Sequence, residues 1–141
     1  AAFLNGNTSN ESILEKKIKE EIPNLKIFKS IYSITNFNEL NKNEKYLAFA
    51  GIGNFSNFVD LLKKNNFKIV NTIHYPDHYD YSDNDIKKIK DIAKLNNAKI
   101  ITTEKDYLRI GDENKNGIDV IKIKLDIQNN HEFINFLQKK L

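Results

Sequence analysis

Apolar and β-branched residues in the middle of this chain form short runs, and the first two runs are followed by apolar positions at helical spacing. The runs Tyr46–Ala50, Phe67–Ile73 and Lys99–Thr103 predict three strands. After the first two runs the apolar positions recur every three or four residues, which predicts two helices: Phe55, Phe58, Val59, Leu61 and Leu62 in one, and Ile86, Ile89, Ile92, Ala93 and Leu95 in the other.

The two ends of the chain continue this alternation. Ala1–Leu4 and Leu25–Ile34 predict strands on either side of a helix that Ser9 or Asn10 could cap and that Pro23 ends. Ile118–Ile127 alternates like a later strand, and Asn130–Lys140 predicts a final helix. Alternating strands and helices predict a single α/β domain over residues 1–141, a three-layer Rossmann-like fold with a mainly parallel sheet.

Length, charge and composition narrow the class of protein. The 141 residues are enough for one buried core, and a net charge of +3 from interspersed charges does not indicate a nucleic-acid partner. The absence of Cys excludes disulfides and thiolate chemistry, and no apolar run approaches the roughly 20 residues that span a bilayer. The chain contains no Met and opens on a predicted strand, so we expect it to be a piece of a larger protein.

A glycine turn separates the first buried strand from its helix. Gly51, Gly53 and Asn54 stand where backbone N–H groups and a helix N-terminus can bind a phosphate or carboxylate. The turn lacks the third glycine of a dinucleotide fingerprint and the Lys of a P-loop. The alternative is a tight turn that needs glycine for a positive φ.

The tract Tyr75–Ser82 follows the second strand and carries Asp77 and His78 next to Pro76. A histidine can act as acid, base or hydrogen-bond donor, and Asp77 could orient its ring. The alternative is that His78 is an exposed loop residue and Asp83 an N-cap. His74 and His131 are weaker candidates, at a strand end and near a helix start.

A third polar cluster follows the third strand. It contains the hydroxyls of Thr102 and Thr103 beside the opposite charges of Glu104, Lys105 and Asp106. Lys105 could therefore bind a phosphate. A surface network of Lys and carboxylates explains the cluster as well. Arg109, three residues after Asp106, could extend either arrangement.

Taken in order, these segments resemble the C-terminal half of the tetraacyldisaccharide 4'-kinase (lipid A 4'-kinase) family. The resemblance rests on these tracts: Leu47–Asn54, Tyr75–Tyr79 with Tyr81, Thr102–Asp106 with Arg109, and the opening Phe3–Gly6. It implies a kinase that uses ATP and Mg²⁺ to phosphorylate the 4' hydroxyl of a tetraacyldisaccharide 1-phosphate in lipid A biosynthesis. It also implies a position in the cytoplasm at the inner face of the bacterial inner membrane.

The resemblance also implies roles for individual residues. His78 matches a histidine that assists an aspartate of the N-terminal half as a catalytic pair, and Asp77 stands beside it. Gly51, Gly53 and Asn54 would contact the cofactor, and a second group would line the cleft: Thr103, Glu104, Lys105 and Asp106. The P-loop and the magnesium-binding acids belong to the N-terminal half, so we expect no metal site and no activity from this chain alone.

Two positions depart from the family pattern. Phe55 stands where a proline is usual, and Tyr79 stands where a second histidine is often found. The competing interpretation is a non-catalytic α/β binding or interaction module. A dinucleotide-dependent oxidoreductase is disfavoured by the incomplete glycine fingerprint.

Overall fold

The computed structural model describes residues 1–5 and 9–139, and the side chains of residues 9–11 are outside that description. Gly6 and Lys140, which the sequence placed in a turn and in the last helix, therefore lie outside the described residues, as do the side chains of Ser9 and Asn10. The strands and helices in chain order are β1 Ala2–Asn5, α1 Ser9–Glu21, β2 Ile27–Ile34, β3 Lys45–Ala50, α2 Phe55–Lys64, β4 Lys68–His74, α3 Asp83–Leu95, β5 Lys99–Thr103, α4 Glu104–Tyr107, β6 Ile118–Ile121, β7 Ile123–Ile127 and α5 Asn130–Gln138.

A four-stranded parallel sheet in the order β4-β3-β5-β6 organises residues 34–122. Phe49 pairs with Ile73 of β4, and Ala48 pairs with Ile101 of β5. The chain leaves β3 toward one neighbour and later returns to the other side of it at β5. The carboxyl ends of β3 and β5 therefore form a topological switch point, where open α/β sheets place ligand sites.

The central strand β3 is buried on both faces, which explains its continuous apolar run. Successive side chains of a strand point to opposite faces, so Tyr46, Ala48 and Ala50 enter one core and Leu47 and Phe49 the other. The first core is completed by α2 through Phe58, Val59 and Leu62, and the second by α3 through Ile86, Ile89 and Ala93. This part of the chain has the predicted three-layer α/β architecture with a parallel sheet.

The remaining compact unit comprises residues 1–33 and 123–141. Its sheet has the order β1-β2-β7, and β1 runs parallel to β2 with Phe3 opposite Phe28. Phe133 and Phe136 of α5 pack their rings against Phe28, with centroids 5.1 and 5.3 Å away. The chain divides into two compact units, and the single domain expected for residues 1–141 stays a prediction.

The prediction of one strand over Ile118–Ile127 is wrong, because the segment contains two strands that belong to different sheets. The break falls at Lys122, whose backbone N–H donates to Asn36 Oδ1 over 2.9 Å. Asn36 is buried and its amide nitrogen donates to Val120 O over 2.8 Å. A side chain 86 positions away in sequence thus satisfies the backbone where the ladder is interrupted.

No helix among residues 1–5 and 9–139 is long and apolar enough to cross a membrane.

Helix α3 begins with a capping box built by Ser82 and Asp85. Ser82 Oγ accepts from the Asp85 N–H, and the Asp85 carboxylate accepts from the Ser82 N–H and hydroxyl over 3.0 and 2.6 Å. The N-cap is therefore Ser82, not Asp83 as the sequence suggested. These bonds from the Ser82 hydroxyl and backbone hold the pKa of Asp85 below its ordinary value of 3.8.

We expect Asp85→Asn to lower stability near neutral pH and to matter less in acid. A carboxylate with a lowered folded pKa stabilises the fold above its unfolded pKa, and this contribution is lost as the pH falls through the folded pKa. In urea unfolding, the difference between the natural chain and the variant should hold from about pH 7 to 5 and shrink below about pH 4.

Asp91→Asn, in the same helix, is the matched control, because no hydrogen bond of the Asp91 side chain is found within residues 1–5 and 9–139. It should change the urea midpoint little. A difference for Asp85→Asn that stays constant down to pH 3 would contradict the capping role.

Candidate functional site

Three polar segments meet at the carboxyl ends of the central parallel strands. They are the glycine turn after β3, the Tyr75–Ser82 loop after β4 and the Thr103–Arg109 segment after β5. Each follows a strand that ends at the same edge of the sheet, since the strands are parallel. The sequence predicted all three as candidate segments, and the structure connects them through one side chain.

That side chain is Asp106, which is fully buried. Its Oδ1 accepts from the Gly51 N–H over 2.9 Å and from the Tyr81 hydroxyl over 3.0 Å, and its Oδ2 accepts from the Thr103 hydroxyl over 2.5 Å. One carboxylate therefore ties together the segments after β3, β4 and β5. The alternative of a surface network of Lys and carboxylates does not hold for Asp106, because this side chain has no exposed surface.

The local sequence explains how Asp106 reaches this position. Thr103 is the N-cap of α4, and its hydroxyl oxygen accepts from the Asp106 N–H over 3.1 Å while its hydroxyl donates back to the Asp106 carboxylate. The neighbouring Thr102 is buried and donates to Phe49 O of β3 over 2.7 Å. The two hydroxyls noted in the sequence thus have internal partners.

Gly51 is required for close approach and not for a special backbone angle. A Cβ at this position would lie 2.8 Å from Pro76 O and 3.0 Å from Tyr79 Cβ, which is closer than real side chains pack. Neither Gly51 nor Gly53 has a positive φ, so the alternative of a turn that needs positive φ at glycine is wrong. The Pro76 segment packs directly on the turn because Gly51 has no side chain.

His78 lies at the exposed edge of this network. Its backbone is left-handed with φ 60°, a conformation uncommon for a residue with a side chain, and its N–H donates to Gly51 O over 3.1 Å. The same N–H donates to Asp77 Oδ1 over 3.0 Å. Asp77 Oδ2 lies 3.8 Å from His78 Nε2, beyond hydrogen-bond distance, so Asp77 orients the loop backbone more directly than the ring.

The imidazole ring contacts Arg109 instead. Arg109 Nη2 lies 2.9 Å from His78 Nδ1, and Arg109 Nη1 lies 3.8 Å from Asp106 Oδ1. Arg109 therefore links the exposed histidine to the buried carboxylate. The sequence offered Arg109 only as an extension of the third cluster, and its spacing of three residues from Asp106 was the signal available.

Three tyrosines of the Tyr75–Ser82 loop pack against one another, and one of them, Tyr81, contacts the Asp106 carboxylate. Tyr81 packs edge-on against Tyr75 and Tyr79 with centroids 5.2 and 5.3 Å apart, and the Tyr79 hydroxyl donates to Asp85. Burial, followed by the negative charge of Asp106, raises the pKa of Tyr81 far above its ordinary value of 10.0. Tyr81 therefore serves as a neutral hydrogen-bond donor, a role the sequence did not assign to it.

The other predicted site residues lie outside the buried network. Gly53, Asn54, Glu104 and Lys105 are exposed, and neither the Glu104 nor the Lys105 side chain has a hydrogen bond or ion pair with another described residue. Asn54 precedes α2 without a side-chain cap bond, and its Oδ1 accepts from Ser56.

The two weaker histidine candidates, His74 and His131, make no hydrogen bond to Asp106, His78 or Arg109. His74 stacks on Phe55, with ring centroids 4.7 Å apart, and His131 is exposed. Within the described part of the chain, no group of three or more His, Cys, Asp or Glu side chains is placed to hold a metal ion.

Comparison with known proteins places the whole chain in one family. The family model for Tetraacyldisaccharide-1-P 4'-kinase matches residues 1–141. A Tetraacyldisaccharide 4'-kinase from Pelagibacter ubique (strain HTCC1062) is 46% identical over 137 residues, which cover 97% of this chain and 44% of that relative. One from Rickettsia bellii (strain OSU 85-389) is 43% identical over 91 residues, which cover 64% of this chain and 28% of that relative.

A solved structure has the same fold. The crystal structure of LpxK from Aquifex aeolicus in complex with ATP matches 86% of this chain and 40% of its own, with a TM-score of 0.53 and 20% sequence identity. This chain spans less than half of the length of the curated relatives and of the solved chain that it matches.

The packing around Gly51 predicts different effects for the two glycines of the turn. Gly51→Ala should destabilise the chain by about 1–3 kcal/mol, because the new methyl group meets the backbone oxygen of Pro76. Gly53→Ala is the matched control, since its Cβ would meet only Asp77 Oδ2 at an ordinary 3.6 Å, and we expect a change within about 0.5 kcal/mol. Urea unfolding of both variants measures the contrast, and equal effects would refute the packing argument.

Proposed function

This chain belongs to the Tetraacyldisaccharide-1-P 4'-kinase family, and from that membership we propose that it is the C-terminal part of an ATP-dependent kinase. The kinase phosphorylates the 4' hydroxyl of a tetraacyldisaccharide 1-phosphate in lipid A biosynthesis. Its other part, an N-terminal half with a P-loop, completes the active site. This chain alone is inactive, because phosphoryl transfer depends on positioning and charge stabilisation by groups that the N-terminal half supplies.

The observation that carries this proposal is the placement of His78. Its side chain is 67% exposed at the carboxyl ends of the parallel strands, yet its backbone and its ring are held by Gly51 and Arg109. A side chain that is fixed on one side and open on the other suits a group that meets a partner from outside this fold.

In the proposed reaction His78 is a catalytic residue that contacts an aspartate of the N-terminal half. That aspartate accepts the proton of the 4' hydroxyl as the hydroxyl attacks, and the ring of His78 holds and orients its carboxylate. Asp77 acts next to it by fixing the loop: its Oδ1 accepts from the His78 N–H. We therefore assign Asp77 a positioning role.

The glycine turn fits a nucleotide only in part. The Gly51 N–H already donates to Asp106, so Gly51 has no free N–H for a phosphate, whereas Gly53 and Asn54 are exposed at the start of α2. We propose that Gly53 and Asn54 approach the phosphates of ATP. When bound, ATP supplies the γ-phosphoryl group that is transferred.

We propose that magnesium is bound by the N-terminal half, which carries the magnesium-binding acids in the family. Within the described residues, no group of three or more His, Cys, Asp or Glu side chains is placed to hold a metal ion. Of the cleft residues, Thr103 and Asp106 hydrogen-bond to each other and stabilise the site from inside the fold. Glu104 and Lys105 are exposed and available to a substrate, and Lys105 is the proposed partner for a phosphate. We place the complete enzyme at the inner face of the bacterial inner membrane, where its lipid substrate lies.

A chimera tests the proposal directly. This chain would replace the matched 44% of the Pelagibacter ubique relative, and ATP-dependent 4'-phosphorylation of a tetraacyldisaccharide 1-phosphate would be measured. We expect activity from the chimera and none from this chain alone. An inactive chimera that is folded and monodisperse, beside an active Pelagibacter parent, would favour a non-catalytic module.

In the same chimera, His78→Ala should lower turnover about 100-fold or more, because the aspartate that accepts the proton would lose the ring that orients it, and misplacing a reacting group costs about this much. His131→Ala, which removes an exposed histidine outside the proposed site, is the matched control. Unchanged turnover in His78→Ala would remove this residue from the mechanism.

A further inference from the structure

We propose that Arg109 is a positioning residue that fixes the His78 ring with Nδ1 as hydrogen-bond acceptor and with Nε2–H facing outward as donor. The geometry of this pair stands on the structure alone, and its consequence for catalysis rests on the function proposed above.

The hydrogen-bonding capacity of the two side chains determines the tautomer. A guanidinium carries only donors, so Arg109 Nη2, 2.9 Å from His78 Nδ1, must donate to that nitrogen. Nδ1 therefore keeps its lone pair, and the proton of the neutral imidazole lies on Nε2. Of the three roles open to a histidine, this arrangement selects the hydrogen-bond donor.

Arg109 can impose this geometry because it is itself held in place. Its side chain is only 18% exposed, and Nη1 is buried 3.8 Å from the Asp106 carboxylate without a hydrogen-bond partner among the described residues. Asp106 in turn accepts from three separate segments of the fold. The planar guanidinium of Arg109 thus holds the exposed His78 ring in a fixed position relative to the buried Asp106 carboxylate.

The outer nitrogen of the ring remains available. Nε2 is 3.8 Å from Asp77 Oδ2, which is too far for a hydrogen bond, and the side chain is 67% exposed. An Nε2–H that faces outward suits an anionic oxygen, and a carboxylate is the group that the proposed catalytic pair requires. The His78 ring would then hold the carboxylate that accepts the substrate proton, without accepting that proton itself.

Nitrogen NMR of the full 141-residue chain tests the tautomer without any activity assay. The chain has three histidines, so ¹⁵N-histidine labelling with long-range proton correlation resolves each ring. For neutral His78 we expect a proton on Nε2 and a bare Nδ1. In Arg109→Met, which removes the donors and keeps an apolar stem, a population with the proton on Nδ1 should appear.

Lys87→Met, which removes an exposed cation of α3, is the control and should leave the His78 pattern unchanged. A natural chain with the proton on Nδ1, or identical His78 patterns in the natural chain and Arg109→Met, would overturn the inference. If Arg109→Met does not fold, the inference is tested by the His78 tautomer of the natural chain alone.

A double-mutant cycle in the chimera tests whether Arg109 acts through His78. Arg109→Met should lower turnover at least tenfold, and combining it with His78→Ala should cost no more than His78→Ala alone. If the loss of turnover in the double variant equalled the product of the two single losses, Arg109 would act independently of His78 and the inference would be overturned. Because the NMR result needs no kinase activity, failure of the proposed function and failure of this inference can be told apart.

Discussion

The burial of the Asp106 carboxylate is the constraint on which the rest of this site depends. A carboxylate with no exposed surface is costly unless hydrogen bonds and a nearby positive charge replace its water. The fold supplies an amide from Gly51, hydroxyls from Tyr81 and Thr103, and the guanidinium of Arg109 at 3.8 Å. These donors come from segments after three different strands, so satisfying one charge fixes the ends of all three.

This constraint explains features that look unrelated in isolation. The close approach of Pro76 to Gly51 brings the loop after β4 against the turn after β3, and the left-handed backbone of His78 allows its N–H to reach Gly51 O. Left-handed backbone at a non-glycine residue costs of order 1–3 kcal/mol and persists where the surroundings over-determine it. Here the surroundings are the Asp106 network, and the residue that bears the strain is the one we assign to catalysis.

The sequence was sufficient to predict those elements whose structure depends on the local pattern of apolar residues. A run buried on both faces predicts a parallel strand, and β3 and β5 lie where such runs placed them. The sequence was insufficient to predict features that depend on a contact with a residue far away in the chain. Alternation continues through Lys122, yet the segment is divided between two sheets there, and buried Asn36 hydrogen-bonds the backbone at the break. In the sequence, Asp106 is one charged residue among several. In the structure it is buried, and its carboxylate accepts a hydrogen bond from the N–H of Gly51, 55 positions away. The roles of His78, Lys105 and the glycine turn in catalysis stay predictions.

Amide hydrogen exchange at Gly51 and His78 tests the central claim most directly, in the natural chain and in Asp106→Ala, which removes both acceptor oxygens. If the buried carboxylate ties the strand ends together, both amides should be protected in the natural chain. Both should then exchange much faster in the variant, while Leu62 amide exchange in α2 remains slow. Equal protection of Gly51 and His78 in the two proteins would contradict the account, because the segments would then be held together without the Asp106 charge.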